Sequence, residues 1–357
     1  MTSTDSGHID NLNAEQTTLL KTFWKALFAA LSSPSTSQAG VVHDSLAETL
    51  WLACGLDRPD VLLLRFLRAR KFNVDKAVTM TLNALQWREE FGVAELLANG
   101  EKDLDAEELQ SGKSYFQGVD KLGRPCCYLH VAMHDKNTVD RERTKKLTVL
   151  TLETGRMLLQ PPQEMATIVF DMSKFSMANM DMDTTRFLLD CMQNYYPESL
   201  GHAIVVNAPW VFNGCWVIIK PWIDPVVVAK IRFIKSPEIE EHIDLDQLPE
   251  KLGGEAAEYT YIPPSADEEA EHLKFRSDKG ANDEAWANFR SAYTAFGAAT
   301  LAWAQGSDDS PTTPERTKAA AHMREAYVKL SPFIRTRTTY HRSGMVKDPA
   351  FPPLTRA

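Results

Sequence analysis

Apolar and polar residues along the first hundred positions follow the period of α-helices. Apolar side chains recur three and four positions apart over residues 43–56, 61–70 and 74–90, so we expect three successive helices there. Glycines stand at the ends of two of these stretches, as Gly55 and Gly92, and glycine is typical of a helix end. The pattern therefore predicts a helical N-terminal region.

The period changes after residue 119. A turn is expected at residues 120–123, because Gly123 supplies the backbone freedom that a tight turn needs, and a strand follows it. Further strand-like runs are residues 166–171, 202–207 and 231–234. Helical stretches between them are residues 183–196, 211–223 and one starting at Asp224-Pro225, an N-cap followed by a first-turn proline.

These strands are short and apolar almost throughout, which is typical of strands buried on both faces. Their alternation with helices predicts an α/β fold, with a helical N-terminal region and a mixed, mainly parallel sheet covered by helices. Helical patterns return near the C-terminus and predict a helical extension. We expect four regions. They are an amphipathic N-terminal segment (residues 1–40), a helical region (41–100), an α/β domain (101–262), and an acidic linker with the helical extension (263–357).

Composition and charge exclude several classes of protein. The net charge of −9 argues against a nucleic-acid binder, whose surface should be basic. Five cysteines without a C-x-x-C pair disfavour a disulfide framework and a thiolate metal site. No apolar run reaches the roughly 18–20 residues of a membrane span, and the N-terminus does not resemble a signal peptide. We therefore expect a cytoplasmic protein whose contact with membranes is peripheral, with the basic stretch 335–342 as one candidate contact.

The sequence offers no catalytic motif that fits an active site. His130 and His134 are four residues apart on a predicted strand, which favours hydrogen-bonded strand residues over metal ligands. An enzyme is the competing class, as a hydrolase that would use Cys126 or Cys127 with His130. We expect no enzymatic activity and no bound metal.

Charged residues on apolar faces are the less common feature. On the helix of residues 61–70, Arg70 falls between Leu63 and Phe66, and Lys230 follows a face made of valine. A cation buried on such a face needs an anion, whereas a long side chain can also reach water along the apolar surface. Glu198, after two tyrosines and a proline, is either a ligand-binding carboxylate or the carboxylate of a helix end.

The stretch WVFNGCWVIIKPWIDPVVVAKI, residues 210–231, is the second unusual feature. It is apolar nearly all round, so one face can fill the core while the rest must cover something apolar or contact a membrane.

Five separated blocks carry a resemblance to a known family. In chain order they are LLLRFLRARKFNVDKA, GVDKLGRPCCYL, NYYPESLGHAIVVNAPWVF, KPWIDPVVVAKI and LPEKLGGE. They closely resemble the CRAL-TRIO lipid-binding family, and within it the fungal phosphatidylinositol transfer proteins, over about residues 41–262. The tail from residue 285 to 353 resembles an extension found in one fungal branch.

The resemblance implies the function and the binding site. It implies a cytoplasmic, non-enzymatic protein that encloses one phosphatidylinositol in a lipid cavity of the α/β fold and exchanges it between membranes through a mobile gate helix. The headgroup would be held by Arg70, Glu198 and Lys230, with Lys71 as a further candidate. The lipid is cargo, and no cofactor is implied. Residues implied to form the gate and line the cavity are Trp216, Ile219, Trp222, Ile223, Val226, Val227, Cys127, Ala166 and Ile168.

Departures from the family pattern leave other cargoes open. Val227 replaces a threonine that phosphatidylinositol binders often carry. Phosphatidylcholine binders carry hydroxyls where this chain has Cys127, Ala166 and Ile168, so an apolar cargo such as a sterol or squalene is an alternative. Some relatives hold haem through tyrosine and histidine, for which Tyr128, His130 and His134 are the candidates. A sensor or adaptor that presents lipid to a lipid kinase would share every one of these features.

Overall fold

The computed structural model describes residues 7–32, 43–159, 163–308 and 310–352. These residues form two compact units. Residues 99–263 and 338–346 form the first, which we call the sheet unit. The described residues of 7–98, 264–337 and 347–352 form the second, the helical unit. The predicted boundary between residues 40 and 41 lies outside the described residues, and the four-region division stays a prediction.

Fourteen α-helices occur in the described residues, and they include every helix that the sequence predicted. They are α1 Ala14–Ser32, α2 His43–Cys54, α3 Pro59–Ala69, α4 Val74–Phe91, α5 Val93–Asn99, α6 Ala106–Ser111, α7 Arg141–Leu158, α8 Met182–Asp190, α9 Phe212–Ile219, α10 Pro225–Val228, α11 Ala266–Ser277, α12 Lys279–Gln305, α13 Pro314–Ile334 and α14 Thr339–Arg342. None of the described helices combines the length and the apolar character that crossing a membrane requires.

Five strands form one mixed sheet in the order β1-β2-β3-β4-β5. They are β1 Ser114–Val119, β2 Pro125–His130, β3 Ala166–Asp171, β4 Leu200–Val206 and β5 Ile231–Ile234. The first pair is antiparallel and the other three pairs are parallel. The predicted α/β class with a mainly parallel sheet is therefore confirmed. Strand β1, helix α7 and helix α11 are elements that the sequence patterns did not reveal.

The antiparallel turn between β1 and β2 follows from one carboxylate and one glycine. Gly123 has φ of +77°, and its N–H donates to the Asp120 carbonyl at 2.8 Å. The Asp120 carboxylate accepts from Arg124 Nε at 2.6 Å and from Thr167 Oγ1, on β3, at 2.7 Å. This turn, which the sequence predicted at residues 120–123, therefore also fixes the third strand.

Each parallel crossover moves one strand further in the same direction. Right-handed crossovers of this kind place their helices on one face of the sheet, which we call the helix face. Side chains of the helix face form an apolar cluster of Phe116, Cys127, Ile168, Leu200 and Ala203. Leu158 from α7 and Val227 from α10 pack on it. We call this set of five residues the helix-face cluster.

The opposite face of the sheet has its own core. Alternate strand residues, among them Tyr115, Tyr128 and Val169, are buried there against the segment that follows β5. The segment contributes Ile239, Ile243, Leu248 and Leu252. Successive residues of β2 therefore point to different cores, Cys127 to the helix face and Tyr128 to the opposite face.

The helical unit joins the N-terminal and C-terminal helices in one core. Trp24 of α1 and Trp51 of α2 contact Phe296 of α12 edge-to-face, at 6.0 and 5.9 Å between ring centroids. Arg316 of α13 forms a buried ion pair with Asp60 of α3 at 2.7 Å. The C-terminal extension is therefore packed against the N-terminal helices.

Candidate functional site

The amino-terminal ends of β4 and β5 carry two of the predicted headgroup residues. Lys230, half-buried before β5, donates from Nζ to the Leu200 carbonyl at 2.8 Å. The Lys230 carbonyl accepts from Ala203 N at 3.0 Å, so the backbone of Lys230 is fixed to β4. Glu198 lies two residues before β4 and has φ of +56°. Both charges thus belong to the same edge of the sheet.

The other two headgroup candidates end helix α3 in the helical unit. Arg70 is half-buried and donates from Nη1 to the Ala69 carbonyl at 3.2 Å. The chain then reverses sharply, since Lys71 and Phe72 have φ of +51° and +60° and Phe72 N donates to the Leu67 carbonyl at 2.7 Å. Residues without glycine's freedom adopt this conformation at an energetic cost, and such residues concentrate at functional sites.

The predicted gate falls in the apolar stretch 210–231, and we call its residues 210–228, which lie between β4 and β5, the gate segment. Its inner residues are buried with Val205 of β4 and include Phe212, Cys215, Ile219 and Ile223. Trp216, Trp222 and Val227 are partly buried against this core. The predicted helix start is confirmed, because Asp224 caps α10 by accepting from Val226 N at 2.8 Å.

The outer residues of the gate segment are apolar and exposed. Trp210 is 84% exposed, Val217 72%, Val226 54% and Ile218 52%. Four large apolar side chains this exposed within one short segment are uncommon on a monomer and are typical of surfaces that contact apolar material.

A glutamine holds the bend of the gate segment. Gln193 donates from Nε2 to the Trp222 carbonyl at 3.1 Å and accepts from Asp224 N at 2.8 Å through Oε1. Gln193 lies in the π-helical turn Cys191–Tyr195 that ends the predicted helix of residues 183–196. Turns of this type are frequent at functional sites. Sequence reasoning missed Gln193 because no pattern marks a contact 31 positions away.

The remaining predicted lining residues belong to the strands. Cys127 and Ile168 are neighbours in register on β2 and β3 and are members of the helix-face cluster. Ala166 is half-buried at the start of β3. Burial raises the pKa of the Cys127 thiol to about 12, so Cys127 contributes an apolar surface and not a nucleophile.

Comparisons with known proteins decide the family. A model of the CRAL/TRIO domain matches residues 109–254, and a model of the CRAL/TRIO N-terminal domain matches residues 19–83. This chain belongs to the CRAL-TRIO family. It is a family of lipid-binding proteins, so the resemblance that the sequence motifs carried is confirmed.

Two fungal relatives align along most of this CRAL-TRIO chain. The CRAL-TRIO domain-containing protein C3H8.02 of Schizosaccharomyces pombe is 39% identical, over 85% of this chain and 69% of its own length. The phosphatidylinositol transfer protein CSR1 of Eremothecium gossypii is 35% identical, over 85% of this chain and 72% of its own length. Among solved structures, the crystal structure of Sfh5 aligns with a TM-score of 0.48 and 17% identity, over 69% of this chain and 86% of that one.

The tyrosine and histidine candidates for haem do not fit a haem site. Tyr128 and His130 lie on the opposite face of the sheet, in the packed core and not in the helix-face cluster. His130 is engaged by Asp171 at 3.0 Å and by the Tyr115 hydroxyl at 3.4 Å. Burial also raises the pKa of the Tyr128 hydroxyl.

The other histidine of this pair is also engaged. His134 follows β2 instead of lying in it, and its Nε2 lies 3.2 Å from Asp181 Oδ2. Burial and the nearby Lys113 ammonium lower the pKa of His134, so the ring is neutral at neutral pH. Within the described residues, no group of three or more metal-ligating side chains comes together.

The geometry also disfavours the cysteine hydrolase. Cys127 points to the helix face and His130 to the opposite face, so the pair lies on two sides of the sheet. Cys126 shares the face of His130 but is four strand residues away, which is about 13 Å along a strand. A nucleophile and its base must lie within hydrogen-bond distance, so neither cysteine makes such a pair with His130.

The C-terminal cations that the sequence offered for membrane contact are already paired. Arg335 forms a buried ion pair with Asp348 at 2.5 Å, Arg337 pairs with Glu271, and Arg342 pairs with Glu101. The expectation that residues 335–342 form a basic membrane contact is wrong for these three arginines, because their charges are neutralised inside the protein.

Proposed function

We propose that this CRAL-TRIO protein is a phosphatidylinositol transfer protein, which extracts one lipid molecule, shelters it and exchanges it between membranes. The observation that carries the proposal is the arrangement around β5. An apolar, outward-exposed gate segment is followed directly by the half-buried Lys230, whose ammonium lies beside the residues that follow Glu198. The name of the Eremothecium gossypii relative supports phosphatidylinositol as the cargo.

The physical need for a carrier is large. A sixteen-carbon acyl chain exposed to water costs on the order of 13 kcal/mol, because each buried methylene contributes about 0.8 kcal/mol. A transfer protein must therefore offer the chain a surface as dry as the bilayer. The helix-face cluster and the inner side of the gate segment are apolar surfaces of this kind, and Val227 packs against both.

The charges suit the inositol phosphate headgroup. In this proposal the Lys230 ammonium and the Arg70 guanidinium bind phosphate oxygens, which are the anionic acceptors that charge-assisted hydrogen bonds favour. Glu198 accepts hydrogen bonds from the inositol hydroxyls. Lys71, exposed on the strained turn after Arg70, is the fourth and weakest contributor.

The gate segment supplies the membrane contact. Because the protein has a net charge of −9 and the arginines at 335, 337 and 342 are paired, long-range attraction to anionic lipid is weak. Trp210, Val217 and Ile218 instead insert into the interfacial region, where tryptophan is favoured. Opening at the Gln193 bend then brings the inner face of the gate segment to the lipid.

Transfer of labelled phosphatidylinositol between vesicles tests the proposal. We expect Arg70→Ala combined with Lys230→Ala to lower the transfer rate at least a hundredfold, since each hydrogen bond to a charged group contributes about 1.5–3 kcal/mol. The matched control is Arg58→Ala with Lys235→Ala, which removes one arginine and one lysine from positions outside the gate segment and the proposed headgroup residues.

The control pair should leave the transfer rate within twofold of the wild-type rate. A double Arg70/Lys230 variant that transfers as fast as its control would show that the headgroup assignment is wrong. Mass spectrometry of the lipid extracted from the purified protein tests the cargo itself, and a stoichiometric sterol or squalene in place of phosphatidylinositol would overturn the cargo assignment while leaving a carrier.

A further inference from the structure

Residues 338–346, near the C-terminus, belong to the sheet unit, although the residues on either side of them in sequence belong to the helical unit. We call these residues the return segment. It contains the short helix α14, and its Val346 N–H donates to the Tyr340 carbonyl at 2.9 Å, which closes the segment on itself.

A buried carboxylate holds the return segment. Glu101, just before α6, accepts from Thr339 N at 2.7 Å through Oε1. Its Oε2 accepts from the Tyr261 hydroxyl at 3.1 Å and from the Arg342 guanidinium. Arg342 also donates from Nε to the Ile262 carbonyl at 2.8 Å. Since both charges of this pair are buried, removing either would leave the other uncompensated, and the segment is therefore fixed in place.

The segment brings two apolar side chains to the helix-face cluster. Tyr340 and Met345 both pack against this cluster. The Tyr340 ring meets the Phe116 ring edge-to-face at 5.9 Å, and its hydroxyl accepts from Phe116 N at 3.0 Å. The hydroxyl thus satisfies an outward-facing N–H of the edge strand β1, and the ring lies where the predicted lining residues Cys127 and Ile168 also lie.

We propose that the return segment is a wall of the cargo compartment and that the bulk of Tyr340 limits the length of the acyl chain that the protein accepts. The proposal rests on the proposed lipid-carrier function. The hydroxyl anchors the ring to β1, the Glu101–Arg342 pair fixes the backbone on both sides of it, and the aromatic ring occupies volume on the helix face. Acyl carbons and the Tyr340 ring compete for that volume.

A loading competition between two chain lengths tests this wall. The protein is incubated with vesicles that contain equal amounts of phosphatidylinositol with two sixteen-carbon chains and phosphatidylinositol with two twenty-carbon chains, and the bound lipid is quantified by mass spectrometry. We expect Tyr340→Ala to raise the ratio of long to short bound lipid about tenfold, which corresponds to about two further methylenes buried.

Two further variants distinguish the effect of the Tyr340 ring volume from the effect of its hydroxyl group and from misfolding of the Tyr340→Ala variant. Tyr340→Phe keeps the ring, and we expect the wild-type ratio; a shift as large as that of Tyr340→Ala would overturn the role of ring bulk. Met345→Ala enlarges the same wall without touching the hydroxyl, so it should shift the ratio in the same direction even if Tyr340→Ala does not fold.

The control is Ile243→Ala. Ile243 is fully buried in the core on the opposite face of the sheet, so its removal should leave the ratio unchanged. A wild-type protein that loads neither lipid would refute the carrier function together with the wall. A wild-type protein that loads both, with the same ratio in Tyr340→Ala and Met345→Ala, would refute the wall alone.

Discussion

The ion pair of Arg316 with Asp60 joins the C-terminal extension to the N-terminal helices, and its removal tests whether they form one cooperative unit. The Arg316 and Asp60 side chains are 2% and 4% exposed, and Nη2 lies 2.7 Å from Oδ1. Trp24 Nε1 donates to the same Oδ1 at 2.8 Å. The Arg316 guanidinium also lies 4.1 Å from the centre of the Trp303 ring, which shields it from water.

Replacing Arg316 by methionine keeps an unbranched apolar stem at this position but removes the charged guanidinium. Asp60 then remains buried without its cation, which costs about 3–5 kcal/mol in buried pairs of this kind. For a unit of this size about 2–4 °C of melting temperature is lost per kcal/mol, so we expect a decrease of about 6–20 °C. Asp60→Asn in addition to Arg316→Met leaves no buried charge and should recover at least half of the loss.

Urea unfolding followed by far-ultraviolet circular dichroism measures these free energies. The control is Arg290→Met, because Arg290 also joins α12 to an N-terminal helix, through Glu48 of α2 at 2.8 Å, but is 55% exposed. Exposed pairs contribute about 0–1 kcal/mol, so this variant should unfold almost as the wild-type protein does. A loss below 1 kcal/mol for Arg316→Met, or equal losses for both arginines, would refute the claim that the extension is held by a desolvated pair.

Three further predictions concern the sheet unit. Burial, the neighbouring His242 and nearby arginines lower the pKa of His202 to about 4, so the unfolded state binds more protons than the folded state between pH 4 and 6.5. Folding stability should therefore decrease by roughly 1–2 kcal/mol, allowing for solvent screening, as the pH falls through that window, and His202→Gln should flatten this part of the denaturation profile. In thermal melts, Gly254→Ala should destabilise the protein by more than about 2 kcal/mol, because the added Cβ would meet the Leu248 carbonyl oxygen at 1.9 Å. The control is Gly214→Ala, whose added Cβ would have no atom within 4 Å and which should be neutral or slightly stabilising. Cys127 should resist labelling by iodoacetamide at pH 8 until the protein is unfolded, since a pKa of about 12 leaves roughly one thiol in ten thousand as the reactive thiolate. Rapid labelling of Cys127 in the native state would contradict its assignment as buried apolar surface.

The sequence predicted the elements whose pattern is local. The strand at residues 166–171 has the predicted bounds, because five of its six residues are apolar or β-branched. The cap at Asp224-Pro225 was also predictable, since its chemistry lies within three residues. Helix α7 escaped notice because its sequence, RERTKKLTVLTLETGRML, is polar on average.

The candidate site was only partly predictable for the same reason. A pattern identified Arg70 and Lys230 as cations on apolar faces, and the family motifs added Glu198, but no pattern reports which atoms they contact. Gln193 and Tyr340 were invisible because their partners are distant in sequence, with 224 positions between Tyr340 and Phe116. Contacts of this kind depend on the assembled tertiary structure, which local periodicity does not describe.

The arginines at 335, 337 and 342 show why local charge is a poor guide to membrane contact. A cluster of cations near the C-terminus is equally compatible with a basic surface and with a set of internal ion pairs, and the difference lies in carboxylates elsewhere in the chain. Arg342 meets Glu101 across 241 positions, and Arg335 meets Asp348 within the same unit. Because these charges are paired, our proposal assigns the membrane contact to the exposed apolar side chains of the gate segment. In that proposal one segment joins the apolar surface for the membrane to Lys230, which follows it at the amino-terminal end of β5.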